Sequence, residues 1–159
     1  MIHCVITTNG TVVISKESNV LNYVHKHNDL EIIKDITVEP HIGKMIVEIL
    51  GIIYHVYHRD STFGVDVFKG CPDFHVSSIV DTIKSMTYED RSLFSAMITM
   101  HNQCDIIINS YDSSKNGCRE LFGMDEIRSN AVTQKYFIRS KIVSYFQQKY
   151  DSKRMKKNA

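Results

Sequence analysis

The sequence predicts an α/β fold of three layers built around a mainly parallel sheet. Between Gly43 and Asp112, segments with helical spacing of apolar residues alternate with short β-rich runs. Such alternation is typical of right-handed crossovers between parallel strands. The chain has 159 residues, 43% of them hydrophobic, which is enough for one ordinary core. We therefore expect a single domain over residues 1–150, atypical in its first 40 residues, and a basic disordered tail over 151–159.

The first 40 residues contain the clearest local signal. Two β-rich runs, at 3–7 and 11–15, are separated by an Asn-Gly pair, which is the strongest short-range sign of a β-hairpin. A short helix is expected at 18–27 and a further strand at 31–38.

The middle of the chain supplies the predicted alternation. Apolar residues recur at helical spacing in two segments, and three runs have the composition of buried strands. The predicted helices are 43–58, 76–87 and 116–128, and the predicted strands are 63–68, 93–100 and 105–110.

The segment 134–150 allows two interpretations. Ile138, Ile142, Tyr145 and Phe146 share one face of a helix, whereas residues 141–146 also have the composition of a strand. The spacing of these apolar residues favours a helix. A strand would leave an unpaired sheet edge and favour a dimer or a heteromeric partner, whereas a helix would cover the sheet and favour a monomer.

Composition excludes several classes of protein. Lysine and arginine total 19 and aspartate and glutamate total 18, giving a formal net charge of +1, so we expect neither a nucleic-acid nor a membrane partner. Four cysteines without a CxxC pair, in a chain without a recognisable leader, indicate reduced thiols in the cytoplasm. The basic run at 153–157 also allows the nucleus.

No cofactor or metal is expected from the motifs. The common phosphate-binding and hydrolase motifs do not occur. The pairs His55/His58 and His101/Cys104 have ligand-like spacing, but neither has a third and fourth ligand in a recognisable register.

His101 is the candidate catalytic residue. It follows the predicted strand 93–100, and a polar residue at the carboxyl end of a parallel strand faces the site where ligands bind. A histidine there can act as a general base for a nucleophile on a neighbouring strand end.

Residues 43–112 resemble the large subunit of the caspase family. The resemblance rests on a Gly-x-x-Val strand at 64–67, a polar turn at 87–92, an apolar strand ending in His101 and a short strand closing at Asp112. It implies a caspase-like sheet with His101 as the general base.

The chain departs from the caspase pattern where the nucleophile is needed. About 50 residues beyond His101, where caspases have Gln-Ala-Cys, Gln147 matches but Lys149 replaces the cysteine. No arginine precedes Arg59 to grip a substrate aspartate. The resemblance therefore implies a catalytically inactive pseudoenzyme with a vestigial His101, which binds a caspase or an apoptotic adaptor.

Two alternatives belong to other classes. One is an unrelated intracellular α/β interaction module. The other is a hydrolase that pairs His101 with a thiol such as Cys71 or Cys118, which requires that thiol within hydrogen-bonding reach of the imidazole.

Overall fold

The structure is a computed structural model that describes residues 2–7, 11–15, 32–59, 64–68, 76–113 and 123–158. The helix expected at 18–27 lies outside these ranges, as do Cys71 and Cys118. The chain divides into two compact units where one domain was expected. The first comprises Met1–Met86 with Phe146–Ala159, and the second comprises Thr87–Tyr145.

The first unit contains an antiparallel sheet. Its described strands are β1 (Ile2–Thr7), β2 (Thr11–Ser15), β3 (Ile32–Val38), β4 (His55–Arg59) and β5 (Gly64–Phe68). They lie in the order β3-β1-β2-β5-β4, and every neighbouring pair is antiparallel. The predicted pairing of β1 with β2 is confirmed, with Cys4 opposite Ile14.

The expectation of a three-layer, mainly parallel caspase-like sheet is wrong. One reason is β4, whose residues were assigned to the end of the helix 43–58. That helix stops at Ile53, and Tyr54 already has extended backbone angles. β4 then pairs antiparallel with β5, so that His55 lies opposite Phe68. A hairpin therefore replaces the expected helical crossover.

Two helices complete the described part of this sheet-containing unit, apart from its C-terminal segment. α1 spans Pro40–Ile53 and α2 spans Val76–Ser85. Proline in the first turn of α1 suits the helix start, where no N–H is needed. The unit buries apolar side chains from β1, α1 and α2: Cys4, Val5, Ile6, Ile46, Ile49, Leu50, Ile53, Ile79, Val80 and Ile83. Lys34 of β3 pairs with Asp81 of α2.

The second unit is helical. α3 spans Tyr88–Ser113, so the predicted strands at 93–100 and 105–110 are wrong. His101, expected just after the first of these strands, lies within the helix. No glycine or proline interrupts this segment. Its start is stabilised by Thr87, whose Oγ accepts a hydrogen bond from the Asp90 amide at 3.2 Å.

α4 spans Met124–Asn158 and runs from the second unit into the first. It follows Gly123, whose φ of +60° suits glycine. The helical interpretation of 134–150 is confirmed, and Ile138, Ile142 and Phe146 are buried. The basic run at 153–157 also lies in α4, where a disordered tail was expected. No helix in the described ranges combines the length and apolar character needed to cross a bilayer.

Within the second unit, α3 and residues 124–145 of α4 are antiparallel neighbours, called the helix pair below. Three contacts fix the register. The rings of Phe94 and Tyr145 meet edge to face, with centroids 4.8 Å apart. Cys104 Sγ lies 3.9 Å from Gln134 Oε1. Arg128 Nε donates to Asp112 Oδ1 at 3.1 Å.

Candidate functional site

The three residues proposed for the caspase-like site all lie on helices. His101 is in α3, and Gln147 and Lys149 are in α4. Gln147 Nε2 donates to Asp151 Oδ1, one helical turn away, at 3.0 Å. Because none of the three follows a strand, the strand-end arrangement that the resemblance implies is not formed by them.

His101 is the buried polar centre of the helix pair. Its side chain is only 7% exposed, and its Nδ1 has no hydrogen-bond partner. The nearest charge is Asp105 on the next turn of α3, with Oδ2 at 3.6 Å from Nδ1. Asp105 also pairs with Lys135 of α4. Burial lowers the pKa of His101 below its ordinary value of 6.5, while Asp105 acts in the opposite direction.

This environment limits what His101 can do chemically. A neutral imidazole can accept a proton, but a general base must reach the proton of a bound substrate. His101 lies inside the helix pair, and Cys104, three residues later, is 4% exposed. An external substrate therefore does not reach either side chain in this conformation, which argues against the hydrolase alternative at His101. In the described part of the chain, no group of three or more His, Cys, Asp or Glu side chains is placed to hold a metal ion.

One side of the helix pair is held by ion pairs. Lys135 pairs with Asp105, and Arg128 pairs with Asp112. The two acids are seven residues apart, as are the two bases, so each pair repeats after two helical turns. The Arg128 guanidinium also lies over the ring of Tyr111, 5.3 Å from its centroid.

A second side of the helix pair is mostly uncharged. Its reference point is the contact between Cys104 and Gln134. Residues three, four, seven or eleven positions from either one lie near the same side of the helix. From the residues on this side we take eight uncharged ones as the apolar face: Leu93, Met97, Met100, Cys104 and Ile107 of α3, and Ile127, Gln134 and Phe137 of α4. The same spacing also places Lys141, seven residues after Gln134, on this side.

Much of the apolar face is exposed. The exposed fractions are 60% for Leu93, 49% for Met100, 42% for Ile127 and 62% for Phe137. Lys141 brings a positive charge to the same side, with its Nζ 5.3 Å from the centroid of the Phe137 ring. Of the nine large hydrophobic side chains exposed in the described ranges, seven belong to the second unit. Exposed apolar surface is therefore concentrated in the second unit.

Comparison of the chain with models of known protein families, with characterised proteins and with solved structures found no match. The assignment of a site therefore rests on geometry. Sequence reasoning found His101 but missed Asp105, Lys135 and the whole apolar face. The available signal was the alternating spacing of three and four residues from Leu93 to Tyr111, which is the spacing of helix-packing heptads.

Acid should weaken the fold through His101. The folded state holds its pKa below 6.5, the ordinary value expected in the unfolded chain. As the pH falls through 6.5, the unfolded chain takes up a proton that buried His101 resists, so the free energy of unfolding decreases. Asp105 raises and Lys135 lowers the pKa of His101, so these two neighbours oppose each other's effect on the imidazole.

The measurement is urea denaturation between pH 7.5 and 5, followed by far-ultraviolet circular dichroism. His101→Gln should reduce the acid-side loss, whereas His41→Gln, which removes an exposed imidazole on α1, should retain it. An unchanged loss in His101→Gln would contradict the assignment.

Proposed function

We propose that this protein is a protein-interaction module that binds its partner through the apolar face of the helix pair. The observation that carries the proposal is the concentration of exposed apolar side chains on one side of the helix pair. The ion pairs of Asp105 and Asp112 lie on one side, and exposed Leu93, Met100 and Phe137 lie on the other.

The composition of the face supports protein binding. The buried centres of protein interfaces are depleted in charged residues and enriched in methionine and aromatic residues. The apolar face has two methionines and a phenylalanine, and the charged Lys141 lies beside Phe137. Burying an exposed leucine or phenylalanine side chain stabilises a complex by roughly 1.5–3 kcal/mol.

The helix pair does not depend on the exposed residues of this face for its own packing. Phe94, Ile98, Ala131, Ile138 and Ile142 are all at most 5% exposed. They provide a separate apolar interior. The exposed residues of the face are therefore available to a partner without unpacking the unit.

The caspase or adaptor partner implied by the resemblance is not carried into this proposal, because it depended on a mainly parallel sheet, whereas the described strands are antiparallel. The expectation of an interaction module is retained, with a different architecture and a defined surface. In this architecture His101 is a buried structural residue between α3 and α4.

Position-specific photo-crosslinking tests the proposal. A benzophenone amino acid is introduced at Met100 or Phe137, both on the face, or at Tyr136 as the matched control. Tyr136 is 69% exposed but points about 160° away from Gln134 and about 100° away from Phe137 around α4, at 100° per residue. Illumination is carried out on the purified chain and in cells that express it.

We expect a protein adduct of defined mass from positions 100 and 137, little from position 136, and its loss when Leu93→Glu is added. Absence of an adduct in both settings, or equal adducts from all three positions, would overturn the proposal.

A further inference from the structure

We infer that the C-terminal part of α4 binds nucleic acid by contacting its phosphates, independently of what binds the apolar face. The segment, called the basic end below, contains four cations of α4: Lys149, Lys153, Arg154 and Lys156. Its charge, its exposure and the placement of its cations on one side of the helix support this inference.

Charge is unevenly distributed along the chain. Residues 146–159 contain five lysines and arginines and one aspartate, which gives a formal charge of +4. Because the whole chain carries +1, residues 1–145 carry −3. The near-zero total, from which no nucleic-acid partner was expected, therefore hides a basic segment that attracts polyanions and a remainder that weakly repels them. We expect contact with a polyanion to be confined to the basic end.

The basic end is exposed and its cations are unpaired. Residues 151–156 are six consecutive exposed positions of α4, and six residues pass more than once around a helix. Within the described ranges, Lys153, Arg154 and Lys156 form no ion pair with an acid, whereas Arg128 and Lys135, earlier in the same helix, both do. These three cations are therefore available to an external anion.

The cations lie on one side of the helix. At 100° per residue, the four residues of the basic end fall within an arc of about 160°. The one acid of this segment, Asp151, lies about 160° around the helix from Lys153. From Lys149 to Lys156 the cations extend over about 10 Å of the helix axis. Duplex DNA carries one charge per about 1.7 Å of its own axis, so a phosphate backbone can meet these cations without passing the carboxylate.

The uncharged residues of the segment favour nucleic acid over other anionic partners. An anionic membrane requires an apolar face opposite the cations, but the residues opposite Lys153 are Gln148, Asp151 and Met155. The centre of a protein interface requires apolar anchors. Over the exposed residues 151–156, Met155 is the single apolar side chain, and it lies on the side away from the cations. Phosphates require only cations and hydrogen-bond donors, which lysine and arginine supply.

Fluorescence anisotropy with a short labelled DNA duplex of mixed sequence tests the inference on the full chain. We expect a Kd of roughly 1–100 μM in about 50 mM salt, the range of binding that does not depend on sequence. Contacts from Lys153, Arg154 and Lys156 to three phosphates predict a slope of about −2.7 for log K against log salt. The affinity should therefore fall about 40-fold between about 50 and 200 mM salt.

A triple variant carrying Lys153→Gln, Arg154→Gln and Lys156→Gln should bind at least about tenfold more weakly. Its salt dependence should also be shallower, because each lost phosphate contact reduces the slope by about 0.9. A loss of binding with an unchanged slope would show that these side chains do not contact phosphates.

The matched control removes the same charge from exposed positions elsewhere, with Lys44→Gln, Lys84→Gln and Lys141→Gln in one chain. This control has the same net charge as the first triple variant, and it should bind within about threefold of wild type. Circular dichroism verifies that both variants keep their helix content, since cations near the end of a helix also stabilise it.

Two further probes separate nucleic acid from other polyanions. An oligoglutamate with the same total charge represents an acidic protein, and vesicles containing an anionic lipid represent a membrane. The oligoglutamate should bind more weakly than DNA, because an extended chain carries only one charge per about 3.4 Å. Equal or tighter binding of either probe would overturn the inference. The absence of saturable DNA binding at millimolar protein in about 50 mM salt, or equal weakening by the two triple variants, would also overturn it.

Discussion

Phe94→Ala should lower the free energy of unfolding by about 3–5 kcal/mol, the usual cost of removing a buried phenylalanine side chain. Phe94 is 4% exposed and meets Tyr145 edge to face, so alanine leaves a cavity and removes a contact between α3 and α4. Urea denaturation with linear extrapolation measures the loss.

Phe94→Leu is the matched control, since it retains most of the apolar volume and should lose clearly less stability. If Phe94 were instead on an exposed strand, alanine would cost under about 1 kcal/mol. That result would contradict the register of the helix pair.

Cys4 should be nearly inert to alkylation in the folded protein. It lies in the middle of β1, fully buried. Burial, reinforced by the Asp35 carboxylate, raises the pKa of its thiol from 9.0 to about 12. Because the thiolate is the reactive form, this shift alone lowers the reactive fraction at pH 8 about 1,000-fold.

The experiment uses a chain in which Cys71, Cys104 and Cys118 are replaced by alanine or serine, with iodoacetamide as the reagent. The rate in buffer should be at least about 1,000-fold below the rate in 8 M urea, where the strand is exposed. Rates within tenfold of each other would show that Cys4 is accessible, and that the core around β1 is not the one described.

Local signals predicted much of the sheet-containing unit. The Asn-Gly pair identified the hairpin of β1 and β2, and the spacing of Ile46, Ile49, Leu50 and Ile53 identified most of α1. Strand direction could not be obtained in this way, because a strand's composition does not say which strand it pairs with. Because β4 was not predicted, β5 had no antiparallel partner in the predicted fold, and a helical crossover to a parallel strand was expected instead.

The second unit was predicted poorly because a short apolar run has no unique period. Residues 93–100 are apolar enough for a buried strand, and Ile106, Ile107 and Ile108 are β-branched, which favours strands. The longer segment indicates a helix, since the buried residues recur every three or four positions without a break: Phe94, Ile98, His101 and Cys104. Tertiary packing against α4 outweighs the local preference.

The candidate site depended on this same segment. His101 was singled out as a general base because it was expected at a strand end, where side chains face a ligand. In a helix it faces the interior, and the residues that became important are its neighbours Asp105 and Lys135. The apolar face could be found only once residues 88–113 were known to form one helix.

The most direct test of the apolar face as an interface compares the oxidation of two native methionines. Met100 is 49% exposed on the face, and Met155 is 73% exposed near the end of α4. Hydroxyl-radical footprinting of the purified chain, and of the chain in cells that express it, measures both rates in one sample. We predict that oxidation of Met100 relative to Met155 is at least about threefold slower in cells than in the purified chain, because the partner covers the face. Equal relative rates in the two settings would contradict binding through the apolar face.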